Sequence, residues 1–110
     1  MPRFETRDLW SAKELAAGAS AYSQLLEAND VGLTGFMSYQ YDVTGSVKVT
    51  VERVIVKDST DFVVVEENTH ASAKGIVDVD LPLCKYLRLK ITETTGSAGA
   101  TVNKLSAVFG

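Results

Sequence analysis

From Lys85 to Glu93 the chain reads KYLRLKITE, with Leu87, Leu89 and Ile91 on one parity and Tyr86, Arg88 and Lys90 on the other. Successive side chains of a β-strand point to opposite faces, so this stretch is a strand with one dry face and one wet face. Such a strand cannot stand alone, because its apolar face has to be buried against a second layer. The same period of two recurs along the chain. Met37, Tyr39, Tyr41 and Val43 alternate with Ser38, Gln40 and Asp42, and Ile76 or Val77 and Val79 alternate with Asp78 and Asp80. Turn-forming clusters separate these runs: NDVG (29–32), TGS (44–46), KDSTD (57–61) and TGSAG (95–99). ASAYSQLLEA (19–28) reads as a first strand and ATVNKLSAVF (100–109) as a last one, while Pro82 ends IVDVDL by removing a ladder donor. NTHASAKG (68–75) is polar and aperiodic, and reads as a loop or an irregular edge. About seven strands with short links and no strand–helix alternation specify an all-β fold. The expected form is an antiparallel β-sandwich of jelly-roll type, one domain over residues 18–110.

Residues 1–17 do not share the pattern and read as an N-terminal arm. SAKE (11–14) has the form of a capping box and Gly18 could close a helix, so a short helix over 12–17 competes with an extended edge segment. Phe4, Leu9 and Trp10 are apolar anchors in this polar arm, to be buried on this chain or on a neighbour.

One strand breaks its own alternation. In VKVTVERVIVKD (47–58) the valines at 47, 49 and 51 share a face, Arg53 occupies the next inward position, and Val54 and Val56 continue on the opposite parity with Ile55 between them. Two arrangements are open. A β-bulge at Glu52 and Arg53 would return Val54 and Val56 to the core side. Without a bulge, Ile55 stays inward, and Val54 and Val56 form an outer apolar patch that something else has to cover. The second is the arrangement expected of an assembly subunit.

Composition excludes several classes. Eleven basic against fourteen acidic residues give a net charge of −3, with no basic stripe of the kind that displaces counterions from nucleic acid. The apolar runs VIV and FVVV fall far short of the about twenty residues that span a bilayer as a helix. MPRFETRDLW contains acids and no hydrophobic stretch, so no secretory signal is read there and a cytosolic product is expected. The single cysteine, Cys84, cannot form an intrachain disulfide.

Catalytic chemistry needs groups that converge. His70 is the only histidine and sits in the polar segment; a Cys84–His70 pair lacks a third group to orient the base, and one Cys with one His is a poor zinc set. Asp58 and Asp61 lie in a turn without EF-hand spacing, and the dispersed glycines form no phosphate loop. No catalytic residue, metal ligand or cofactor site is assigned. A sugar platform needs exposed aromatics, for which Trp10, Tyr22, Tyr39, Tyr41 and Tyr86 are the candidates; Tyr39 and Tyr41 share the parity of Met37 and Val43, which points them inward.

In order, the segments AAGASAYSQLLEA, YDVTGSVKVTVERVIVKDSTDFVVVEE and LPLCKYLRLKITETTGSAGATVNKLSAVF resemble small β-sandwich virion proteins of tailed bacteriophages and related particles. The likeness covers about residues 16–109 and lacks the glycine that often follows the aspartate of the KDSTDF hairpin. It implies a non-catalytic subunit of a phage or phage-like particle: a capsid decoration, head spike or neck and tail accessory protein. Its partners would be other virion proteins and copies of itself, with a trimer favoured, and it would reside in the virion. Assembly would run through the N-terminal arm and an apolar sheet face, with Phe4, Leu9, Trp10, Val54 and Val56 as interface candidates. The alternative is a carbohydrate-binding sandwich used in host adhesion, with a glycan as its partner.

Overall fold

A computed structural model describes residues 5–27, 36–81 and 85–109. Phe4, the NDVG turn, Pro82 and Cys84 lie outside the described residues. Nine strands run in chain order: β1 (Glu5–Leu15), β2 (Ser20–Tyr22), β3 (Leu26–Glu27), β4 (Phe36–Thr44), β5 (Ser46–Val54), β6 (Val63–Ala71), β7 (Lys74–Asp80), β8 (Tyr86–Glu93) and β9 (Ala100–Phe109). They form two antiparallel sheets, one in the order β1-β9-β4-β7 and the other in the order β2-β8-β5-β6, with β3 also paired to β8. The β-sandwich expected from the alternation is therefore present, with nine strands rather than about seven.

The dry faces are those read from the sequence. Val47, Val49, Val51, Leu87, Leu89 and Ile91 from one sheet pack against Met37, Tyr39, Val43, Val79, Val102, Leu105, Ala107 and Phe109 from the other. On β9 the inward parity changes between Val102 and Leu105. The reason lies in the register with β4, where Asp42 faces Lys104 and Val43 faces Val102, leaving Asn103 as an extra residue.

Residues 5–15 are the edge strand of the first sheet and form no helix: β1 pairs with β9 from Glu5↔Phe109 to Leu15↔Ala100. A boundary at residue 17 thus falls inside the sandwich. Of the two forms open for the N-terminal segment, residues 5–15 take the extended edge, and its strand character is hard to read because β1 is irregular. A bulge between Asp8 and Trp10 turns both Leu9 and Trp10 toward the core, and Ala12 adopts a positive φ of 52°, so period-two alternation is lost. The first predicted strand is two short ones, β2 and β3. NTHASAKG, expected as a loop or irregular edge, holds the end of β6, a turn at Ser72 and Ala73, and the start of β7. Its polarity reflects position, since β6 and β7 are both edge strands.

Four of the connections between the sheets, β1 to β2, β4 to β5, β6 to β7 and β8 to β9, consist wholly of described residues, and these four lie at one end of the sandwich. They are laced together there. Gly45 carries the β4–β5 corner at φ 88°, and a Cβ on it would stand 2.9 Å from that of Ala100. Its N–H donates to Ser72 Oγ and its carbonyl accepts from the Ser72 N–H. Glu93, 2 % exposed, ends β8 with four bonds: Oε1 accepts from the N–H groups of Gly18 and Gly96, and Oε2 from the N–H and hydroxyl of Thr95. The Thr95 hydroxyl first, and then these backbone donors, hold the carboxyl at about 2, against an ordinary 4.5, in spite of burial.

The irregularity expected at Glu52 and Arg53 is on the neighbouring strand. β5 pairs with β8 without interruption from Val47↔Glu93 to Val54↔Tyr86. Against β6, Val51 faces Glu66 and Glu52 faces Val64, so Val65 is the bulged residue and packs on the core. β5 itself carries no bulge, as in the second arrangement. The inward position for Ile55 is corrected, since β5 stops at Val54 and Ile55 is exposed.

Two measurements check this picture. A folded carboxyl held below its unfolded value contributes stability that is fully present above about pH 4.5 and is lost as the pH falls toward 2. Glu93→Gln is expected to lower stability at pH 7 and to flatten that acid limb of the stability–pH curve in denaturant titrations. Thr50 is 2 % exposed and its hydroxyl has no hydrogen-bond partner among the described residues. Thr50→Val is expected to raise unfolding free energy by about 1 kcal/mol, the scale of an unsatisfied buried hydroxyl.

Candidate functional site

Strand directions place the other end of the sandwich at Phe36, Val54, Val63, Tyr86 and Phe109, far from the laced corners. Among the described residues that end is apolar. Ile55 is 69 % exposed, Val56 65 %, Phe36 59 %, Val63 58 % and Val64 49 %, and Leu25 stands beside them next to Leu26, which pairs with Leu87. Six of the eight large hydrophobic side chains exposed among the described residues therefore gather at one end. Exposed hydrophobes grouped in this way mark contact surfaces, whereas single ones are ordinary.

Its centre is the β5–β6 hairpin, and the hairpin is held in place. Arg88 lies between two rings, its guanidinium carbon 3.7 Å from the Phe62 centroid and 4.1 Å from that of Tyr22. Arg88 Nε also donates to Glu52 Oε1 at 2.7 Å. Three strands and the hairpin loop meet in this stack on the outer face of the second sheet. Val54 has the outward parity of Glu52 and is buried at 8 % exposure, yet it is not part of the inter-sheet core. Within the loop, Asp58 takes a φ of 68°, and Ser59 Oγ accepts from the Asp61 N–H. Exposed valines on a tethered loop lose little additional chain entropy on contact, which suits them to docking.

Of the five interface candidates, Val56 lies in this patch and Val54 is buried within its own chain. Leu9 and Trp10 are half-buried against their own core, and Phe4 lies outside the described residues. Ile55, Val63, Val64 and Phe36 were missed as surface groups. FVVV reads as core by composition, and only the bulge at Val65 and the edge position of β6 turn its neighbours outward.

His70 joins the sheets. Its Nε2 is 2.8 Å from the Tyr39 hydroxyl, and its ring stacks on Tyr41 with centroids 3.7 Å apart. Burial holds the imidazole below its ordinary value, and burial first raises the Tyr39 hydroxyl far above its own, so a neutral phenol and a neutral ring share the bond. That is a structural bond. No group of three His, Cys, Asp or Glu side chains able to hold a metal occurs among the described residues.

A second feature is an open groove of about 700 Å³ on the outer face of the first sheet, lined by Gln40, Tyr41, Asp42, Lys74, Gly75, Ile76, Lys104 and Ser106. The register explains it. Lys104, Asp42 and Lys74 form one row across β9, β4 and β7, and Ser106, Gln40 and Ile76 form the next. The aromatics proposed for a sugar platform do not line up here. Tyr39 is buried and Tyr41 half-buried, Trp10 packs on the core, Tyr22 is on the opposite sheet beneath Arg88, and Tyr86 is half-buried there.

No protein-family model matches the chain, and no curated protein matches it in sequence. Among solved structures it is similar to PirA, with 9 % identity and a TM-score of 0.54 over 94 % of this chain and 91 % of that one. It is also similar to CBM29_1, a family 29 carbohydrate-binding module from Piromyces equi, with 13 % identity and a TM-score of 0.53 over 97 % and 91 %. A chain of infectious bursal disease virus, Gx strain, matches with 14 % identity and a TM-score of 0.50, over 97 % of this chain but 32 % of the viral one. Identities this low establish the shared β-sandwich and nothing finer.

The tether generates a prediction. Phe62→Ala should leave global stability nearly unchanged while the amides of residues 55–61 exchange about tenfold faster, the scale of one desolvated cation–π contact. Hydrogen exchange followed by mass spectrometry reads this directly.

Proposed function

We propose that this chain is a non-catalytic structural subunit of a phage or phage-like particle, seated on its neighbours by the apolar end of the sandwich. The observation that carries the reading is the gathering of exposed hydrophobes at one end, Leu25 and Phe36 together with Ile55, Val56, Val63 and Val64 of a hairpin fixed by the Phe62–Arg88–Tyr22 stack. The sequence resemblance to small virion sandwiches supports it, as does the fold shared with a chain of a virus particle. The interface proposed from the sequence shifts in consequence. Leu9 and Trp10 serve their own core, and of the earlier candidates Val56 carries the contact. Decoration, head spike and neck or tail accessory are the roles in view. The partners would be other virion proteins and further copies of the chain, with a trimer expected from the resemblance.

A second reading, adhesion to a glycan, is favoured by a different observation. The groove across β9, β4 and β7 presents amide, ammonium, carboxylate and hydroxyl groups side by side, and carbohydrate-binding modules share the fold. The two readings use different surfaces, the end of the sandwich and the outer face of its first sheet, and are compatible in one protein.

The double variant Val56→Glu/Val63→Glu places two charges in the apolar end without touching the core. It should stay folded, with unfolding free energy within about 0.5 kcal/mol of the parent, as expected for surface positions. Its incorporation into particles, measured against the parent in a competition assay, should fall at least tenfold. Equal incorporation would remove the apolar end as the docking surface.

A further inference from the structure

We propose that the groove on the first sheet binds a carboxylated polysaccharide, with Lys74 and Lys104 taking acidic groups of the ligand and Asp42 and Asp78 its hydroxyls. The proposal rests on the adhesion reading and gives it a ligand class. Lys104 and Lys74 both lie opposite Asp42, one strand to either side, so their Cα atoms are about 10 Å apart, twice the strand spacing. Neither ammonium has an ion-pair partner among the described residues, although Asp42 stands between them. Asp42 instead accepts from Asn103 Nδ2 at 3.2 Å. Two cations left unpaired beside a carboxylate are placed to receive an external anion at either wall of the groove.

The groove continues along the sheet. A shallower extension of about 280 Å³ shares Gln40, Ile76 and Ser106 and reaches Ser38 and Val108. From Asp42 to Ser38 the floor is about 14 Å long at the rise of an antiparallel strand, room for an extended oligomer. Its polar groups are pre-set by short bonds across the strands. Ser38 donates to Asp78 Oδ1 at 2.6 Å, and Ser106 donates to Asp8 Oδ1 at the same distance. Each of these carboxylates keeps its second oxygen to accept from a ligand hydroxyl. Gln40, in the middle of the floor, has its side-chain amide uncommitted among the described residues.

This mixture selects among ligands. A polyphosphate has no hydroxyl to donate to Asp8, Asp42 and Asp78 and would meet them as like charge alone, whereas the hydroxyls of a sugar chain can donate to them. A neutral sugar chain that binds by ring stacking needs exposed aromatic faces, and the groove has only the half-buried Tyr41, whose ring is stacked on His70, and the aliphatic Ile76. A chain of hydroxylated rings bearing carboxylates uses both sets of groups.

Isothermal titration of the full chain with oligogalacturonate, with a neutral cellohexaose arm and an inorganic phosphate arm, tests this. The proposal expects binding of oligogalacturonate that weakens at least tenfold in Lys74→Ala and in Lys104→Ala, falls with added salt, and exceeds that of cellohexaose at least tenfold. The thermal midpoints of both variants should match the parent, and Lys48→Ala on the opposite sheet should bind as the parent does. Equal binding of cellohexaose would overturn the acidic class and leave the adhesion reading standing. Binding of neither oligosaccharide would overturn both. Phosphate that competes with oligogalacturonate at equal charge concentration would reduce the groove to a general anion site and overturn the polysaccharide assignment.

Discussion

The Glu93 carboxylate is the point on which the closed end of the sandwich depends. One buried side chain satisfies three backbone donors and a hydroxyl from two different crossovers, Gly18 in the β1–β2 turn and Thr95 and Gly96 in the β8–β9 turn. Corners between sheets expose backbone groups that no ladder can use, and a charged acceptor is the strongest partner available for them. Gly45 and Ser72 do the same for the other pair of crossovers. With four connections laced at this end, little freedom remains there, and the long axis of 43 Å runs from a polar, cross-bonded end to an apolar one.

That asymmetry organises the functional account. A β-sandwich buries one face of each sheet, which leaves two outer faces and two ends on which to place function. Here the outer face of the second sheet is used to hold the β5–β6 hairpin, through Arg88 between Phe62 and Tyr22, and so to fix the apolar end. The outer face of the first sheet carries the groove, whose rows Lys104–Asp42–Lys74 and Ser106–Gln40–Ile76 follow directly from strand register. Docking at an end leaves a sheet face free, which allows one chain to be both anchored and adhesive.

The sequence carried the fold where alternation was clean. β4, β5, β8 and β9 were all readable, because each has one face in the core and one in water. It failed at the edges. β1 is interrupted by a bulge at Leu9 and a left-handed Ala12, and β6 and β7 carry Asn68, Thr69, His70 and Lys74 where an inner strand would carry valine. An edge strand has one neighbour and borrows polarity for protection, so it looks like a loop. The slip at Arg53 was visible, but its cause, an extra residue at Val65 on the facing strand, was not. Nor were the site contacts legible: Arg88 meets Phe62 and Tyr22 from 26 and 66 positions away, and no local pattern encodes such a meeting. The inward parity of Tyr39 and Tyr41 was legible, and it already weighed against an aromatic sugar platform.

The claim that the apolar end is the seat of assembly is most directly tested by protection. Hydrogen exchange of residues 55–64 should be compared between the free chain and the chain incorporated in purified particles, with residues 94–99 at the laced end as an internal reference. The account predicts that amides of 55–64 slow at least tenfold on incorporation while those of 94–99 do not change. Unchanged exchange at 55–64, with new protection confined to the laced end or to β1, would contradict it.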